Sequence, residues 1–304
     1  MIRKMNWKNV LVIGAVSLLP ISMTAQANIL NAKKPEEIGV KTDAQKALDN
    51  DAPLKYGYVD DRDILWSKTI WEVIDLDERV NFPLYYPTDT VDIGADRRSL
   101  YDVLLKNIKN GKLEDVYVDS YFTEKRKFED LKATLKKVDT LEYGYEQINA
   151  GEALSPEYVT ERELSAADIE EYRIKGIWYF DKRQGELKYR LLGLAPVAPD
   201  VNFIDDESMD PSDAKVELFW VWYPGARQIL HDAKVFNQRN SAQPISFDML
   251  LNARRFNGVI YREDNVHGDR KVKDYIADNA LFQLLEANRI QEVIRDREQD
   301  MWSY

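Results

Sequence analysis

The chain has no cysteine in 304 residues. Disulfides, thiol nucleophiles, thiolate metal sites and a lipid-modified cysteine are all excluded. Histidine is nearly absent too, with only His231 and His267, 36 positions apart. A His-dependent triad or a His-rich metal centre has little to draw on. No G-x-S-x-G elbow, H-E-x-x-H, P-loop or G-x-G-x-x-G occurs. After the first twenty residues no apolar run approaches the length needed to span a bilayer. Positive charge is also scarce: 42 basic residues against 53 acidic give a net charge of −11. Nucleic acid and anionic lipid would be repelled, and basic partners favoured.

What is present begins with the first 27 residues. Arg3, Lys4 and Lys8 form a basic start, Val10 to Leu19 is mostly apolar, and Ala25-Gln26-Ala27 offers the small side chains a signal peptidase needs. The pattern predicts cleavage after Ala27 and a site of action outside the cytoplasm. Removing residues 1–27, with three basic and no acidic residues, takes the net charge to −14. Residues 28–57 are polar and broken by Pro35, Gly39 and Pro53, which predicts an extended arm with too little apolar surface to order itself. Such an arm serves either as a spacer or as a partner-binding segment.

Residues 58–304 read as one α+β globular region, with several helices packed on short, mainly antiparallel strands. Trp66, Ile70, Val73 and Ile74 fit a helical stripe that starts at Asp63, and Phe82 to Tyr86 follows as an extended aromatic segment. Ser99 caps a helix with Leu100, Val103 and Leu104 inward, closed by Asn110-Gly111; Val116 to Val118 is a short strand. Thr123 opens a third helix through Phe128, Leu131, Leu135 and Val138. Residues 142–163 look loop-like. Ser165 and Asp168 form a capping box for a short helix ending at Gly176. Ile177 to Phe180 and Leu187 to Leu192 make a hairpin, and Val216 to Tyr223 a strand broken by Pro224-Gly225. Ser246 starts a helix ended by Asn257-Gly258, Val259 to Tyr261 is a strand, and residues 272–298 form a long last helix. The recurrence of Tyr-Pro, a Ser-capped helix and Asn-Gly allows two related halves, 58–150 and 176–304, but the spacings differ and chance repetition of cap grammar is the plainer account.

The acids Asp205, Asp206, Glu207, Asp210 and Asp213 crowd one loop. They could serve a glycan-cleaving pair, but a solvated loop is the plainer reading, and no calcium pattern is present. No catalytic, cofactor or metal-binding residue is assigned. Aromatics are the surplus. Trp66 and Trp71 would point roughly 140° apart on a helix and cannot share one stripe. Trp220 and Trp222 lie on one face of a strand, with Phe219, Val221 and Tyr223 on the other. In the last helix Ile276, Ala280, Leu284, Ala287, Ile290 and Ile294 share a stripe, while Phe282, Leu285 and Val293 lie off it. Core packing accounts for part of this surplus. The rest gives candidate protein-interface residues: Trp66, Trp71, Tyr85, Tyr86, Trp220, Trp222, Tyr223, Phe282, Leu285 and Val293.

The run from Asp63 to Pro87, DILWSKTIWEVIDLDERVNFPLYYP, and the run from Ser246 to Asn265, SFDMLLNARRFNGVIYREDN, resemble the gliding-motility GldN/PorN family. The likeness covers roughly residues 55–300. It implies a non-enzymatic structural subunit of the type IX secretion and gliding machinery of Bacteroidetes. Such a subunit self-associates in a periplasmic ring beneath the outer membrane, with a GldK/PorK-like lipoprotein as partner and a GldM/PorM-like motor protein as a further contact. Membrane contact would then run only through partners. The alternative is a periplasmic or secreted glycan-binding or glycan-hydrolysing protein.

Overall fold

The computed structural model describes residues 32–302 apart from 39, 41–42, 49, 90, 92–96, 152–154, 202–214, 238–239, 241–243 and 278. The signal segment 1–27 and the acidic loop 205–213 lie outside the described residues. The chain divides into two units, residues 1–52 and 53–304. The first carries a turn at Pro35–Glu37 and a helix, Asp43–Leu48, where the sequence predicts an extended arm. The second holds the main sheet and its helices.

Its frame is a seven-stranded antiparallel sheet. In chain order the strands are β1 (Ile64–Asp75), β2 (Val116–Tyr117), β3 (Lys136–Thr140), β4 (Val159–Glu163), β5 (Glu171–Asp181), β6 (Glu186–Pro199), β7 (Lys215–Glu217), β8 (Trp220–Trp222), β9 (Lys234–Val235), β10 (Ile245–Ser246) and β11 (Val259–Glu263). The main sheet runs β11-β1-β5-β6-β8-β2, with β7 also on β6; β3/β4 and β9/β10 are separate two-stranded pairs. The fold is α+β. Strands from both suspected halves interleave in this one sheet, so the halves are not separate bodies.

The helix expected over Trp66–Ile74 is instead β1, paired along its length with β5. Its β-branched and aromatic residues suit a pleated strand. Period-2 alternation is hidden because Lys68 and Glu72 share the face of Trp66, Ile70 and Ile74. Lys68 meets Glu263 at 3.0 Å, and Glu72, only 3% exposed, meets Arg254. Trp66 and Trp71 therefore point to opposite faces of a sheet, not around a helix.

The front face holds most of the core. Ile74, Tyr172, Ile174, Leu191 and Leu194 pack against the helices Leu100–Lys109, Phe128–Leu135, Tyr223–Asp232 and Phe247–Asn252. Farther along the same face Ile70 and Trp178 meet Ala287, Ile290 and Ile294 of the C-terminal helix, Ala280–Trp302. Gly176 is where Tyr189 crosses β5, since a Cβ there would lie 2.1 Å from the phenol oxygen. The back face has a smaller core of Trp71, Ala195 and Trp220.

Several expected elements are shorter or moved. Phe82–Tyr85 is a helical turn, because Pro83 sits in its first turn, where a missing N–H costs nothing. Thr123 does not start a helix; its hydroxyl donates to Asp119 at 2.7 Å, and the helix begins at Phe128 with Asp130 accepting from the Lys127 N–H. The Ser165–Asp168 box closes only one 3-10 turn before β5 takes over. Residues 142–163 contain a helix, Glu142–Asn149, and strand β4. Val216–Tyr223 divides into β7, β8 and the first residue of a helix that carries Pro224-Gly225 in its opening turn. The helix after Ser246 ends at Asn252, with Arg254 just beyond it in left-handed conformation (φ 49°), before Asn257-Gly258 is reached. The Ser99 and Ser246 caps and the 177–192 hairpin form as expected, the hairpin with longer arms.

Contacts with the domain also begin before residue 58, within the expected arm. The Tyr56 ring lies 4.1 Å from the Arg227 guanidinium and its hydroxyl donates to Asn252 at 2.8 Å. Arg190 and Arg183 donate to the carbonyls of Gly57 and Tyr58. Residues 56–58 are thus strapped to the domain.

Candidate protein-interaction surfaces

Among the described residues no cluster of His, Asp and Glu could hold a metal ion. His231 lies in the helix Tyr223–Asp232, and its carbonyl accepts from Lys234 Nζ. His267 sits in an exposed turn with its backbone N–H on Asn265. The buried ion pair of Arg227 and Asp248, 2.9 Å apart, joins two helices with help from Tyr223 and Asn252. It is occupied in bonding the fold together.

The ten aromatic and aliphatic candidates fall into three groups. Trp71, Trp220 and Tyr223 are sealed inside the chain and present no surface to a partner, which corrects their assignment. Trp71 fills the back-face core, where Arg262 stacks on it at 4.4 Å and Lys175 at 4.9 Å. Desolvation, with Arg262 alongside, pushes the Lys175 amine below its ordinary range. The hydroxyl of Tyr121 receives Arg262 and donates to Asp269. Phe122, at φ 61°, closes this layer over Gly193, whose missing side chain leaves it room. Trp66, Tyr85 and Trp222 are half-buried against the chain's own residues. Tyr86, Phe282, Leu285 and Val293 are exposed.

The strongest exposed apolar feature is the C-terminal helix. The long helix expected over 272–298 is two: Val272–Tyr275, then Ala280–Trp302. Asn279 divides them, its side-chain oxygen accepting from the Phe282 N–H at 3.0 Å. The second helix, about 35 Å long, buries Ala287, Ile290 and Ile294 on the sheet. Leu281, Phe282 and Leu285 project from the side roughly opposite this stripe, and they are 64%, 56% and 51% exposed. The helix is pinned while exposing them. Tyr275 donates to Glu286 at 3.2 Å, and Arg289 meets Glu286 at 2.6 Å. The hydrogen bond from Arg289 holds the Glu286 carboxyl below its usual range, while burial beside that carboxylate pushes Tyr275 up to about 12.

Two further surfaces escaped the sequence reading. The β3/β4 pair projects as an arm ending in the helix Glu142–Asn149, with Leu141, Tyr143, Tyr145 and Ile148 exposed. The signal was four large apolar residues in eight positions, with Gly144 masking the period. The second is a groove of about 800 Å³ lined by Arg79, Val80, Pro83, Phe236, Leu250 and Arg255, among others. It joins segments far apart in sequence, which no local pattern could announce.

The family model described as "Gliding motility associated protein GldN" matches residues 59–303. No curated protein matches the chain.

Proposed function

Because the chain belongs to the GldN family, we propose that it is a non-enzymatic structural subunit of a periplasmic ring beneath the outer membrane. Family membership makes it a component associated with gliding motility and with the multi-protein type IX secretion machinery. In this reading copies associate with one another and with a GldK/PorK-like outer-membrane lipoprotein, and a GldM/PorM-like motor protein makes a further contact. Attachment to the membrane runs through those partners, after export directed by residues 1–27.

One observation carries the reading: the C-terminal helix packs one stripe and turns Leu281, Phe282 and Leu285 outward on a rigidly held support. An acidic chain with no partner gains nothing from such a patch, whereas a subunit buries it on assembly. Extraction of the envelope in mild detergent, affinity capture of the chain and mass spectrometry of what comes with it tests the proposal. The expected result is a high-mass complex containing many copies of this chain, beginning at Asn28, and a lipoprotein. Recovery of the chain as a monomer with no companion would overturn it.

A further inference from the structure

We infer that the β3/β4 arm of one copy docks in the Arg79–Arg255 groove of the next, so that self-association is head-to-tail. This rests on the reading that the chain self-associates, and adds which surfaces meet.

The arm is built to be covered. Leu135 and Leu164 anchor it in the core, and beyond them no residue of the ladder from Lys136↔Glu163 to Thr140↔Val159 is buried. Five rungs reach about 17 Å from the body. A two-stranded hairpin with water on both faces is marginal by itself. Yet its end carries Leu141, Tyr143, Tyr145 and Ile148, between 49% and 67% exposed. Glu146 and Glu157 flank them, exposed and in no ion pair among the described residues.

The groove is complementary in both respects. Its floor includes Val80 and Phe236, 57% and 46% exposed. Arg79 and Arg255 edge it with no side-chain partner among the described residues, whereas Arg254 is already committed to Glu72. Phe236 also lines a second cavity, of about 320 Å³, together with Arg97 and Lys234. Positive charge is the scarce commodity of this chain, at net −11 overall. Two such molecules repel at long range, so a contact between copies must bring the concentrated basic surface of one to an acidic, apolar surface of the other. The arm tip supplies both properties. Because arm and groove are different surfaces, the contact is heterologous and propagates from copy to copy, closing into a ring where the rotation permits.

The absence of cysteine gives a clean background for the test. Full-length chains carrying Tyr145→Cys together with Arg255→Cys are expressed in the native cells, and their envelopes treated with a short bifunctional maleimide. A ladder of covalent multimers is expected. Cells producing the two single variants side by side should give dimers and nothing larger. In the cysteine-free chain, Glu146→Arg with Glu157→Arg should weaken self-association tenfold or more, and adding Arg79→Glu with Arg255→Glu should restore it. Each variant's melting temperature checks folding. A high-mass complex with no ladder, or cross-linking of the Tyr145→Cys chain only to a different envelope protein, overturns the arm-in-groove contact and leaves self-association standing. A parent chain that is monomeric in its envelope extract overturns both.

Discussion

Glu72 shows how single residues set this fold. Its carboxylate is almost wholly buried, held by both terminal nitrogens of Arg254 at 2.6 and 2.9 Å. The guanidinium in turn stacks 4.3 Å from Tyr189. Removing one member of a buried pair leaves an uncompensated charge and costs about 3–5 kcal/mol, whereas replacing both by apolar side chains is often neutral. Arg254→Met should therefore lower the urea midpoint strongly, and Glu72→Met with Arg254→Met should recover most of the loss. Equal losses in the single and double variants would mean the pair matters for its shape alone. At Gly176 a methyl would strike the half-buried Tyr189 ring, so Gly176→Ala should destabilise by about 1–3 kcal/mol, the range for overpacking. Neither position was legible in the sequence. Glu72 lies within the expected helix but off its apolar stripe of Trp66, Ile70, Val73 and Ile74, and Gly176 stands at the expected end of another.

At the scale of elements, the C-terminal helix separates packing from assembly. Ile290 is 1% exposed and Phe282 56%. Ile290→Ala should cost about 2–5 kcal/mol of monomer stability, read in a melting curve. Phe282→Ala with Leu285→Ala should leave that curve within a degree or two while the high-mass complex is lost. A lower melting temperature for the second variant would make these residues core. The helix itself was legible: its buried stripe of Ala287, Ile290 and Ile294 follows the helical period. Its start was not, because the expected stripe ran unbroken through Asn279. A cap is a local hydrogen-bond choice that apolar periodicity does not record. The β1 error is of the same kind. Trp66, Ile70, Val73 and Ile74 satisfy a helical template, but a strand covered on both faces loses the alternation that would betray it.

For the molecule as a whole, the buried phenols define its response to alkali. Desolvation holds Tyr101, Tyr189, Tyr223 and Tyr261 well above the ordinary phenol range. A phenol kept neutral in the fold but free to ionise in the unfolded chain stabilises the fold fully below about pH 10. That contribution falls as pH rises through and beyond this value. Absorbance at 295 nm should accordingly show the buried tyrosines ionising in one step that coincides with loss of the far-ultraviolet circular dichroism. Smooth titration of every tyrosine with the fold intact would contradict this burial.

Composition and local pattern by themselves determined the α+β class, the Ser99 and Ser246 caps, the 177–192 hairpin and the run of residues that carries the family. These depend on side-chain chemistry within a few positions, where hydrogen bonds and steric preferences act. Tertiary structure alone decided which aromatics are core and which are surface. Trp71 and Tyr86 have comparable aromatic character, yet one is sealed under Arg262 and Lys175 and the other faces water. It also decided that Arg79 and Arg255, 176 positions apart, edge one groove. Burial and charge concentration are set by which distant segments meet, and no stretch of sequence holds that information alone.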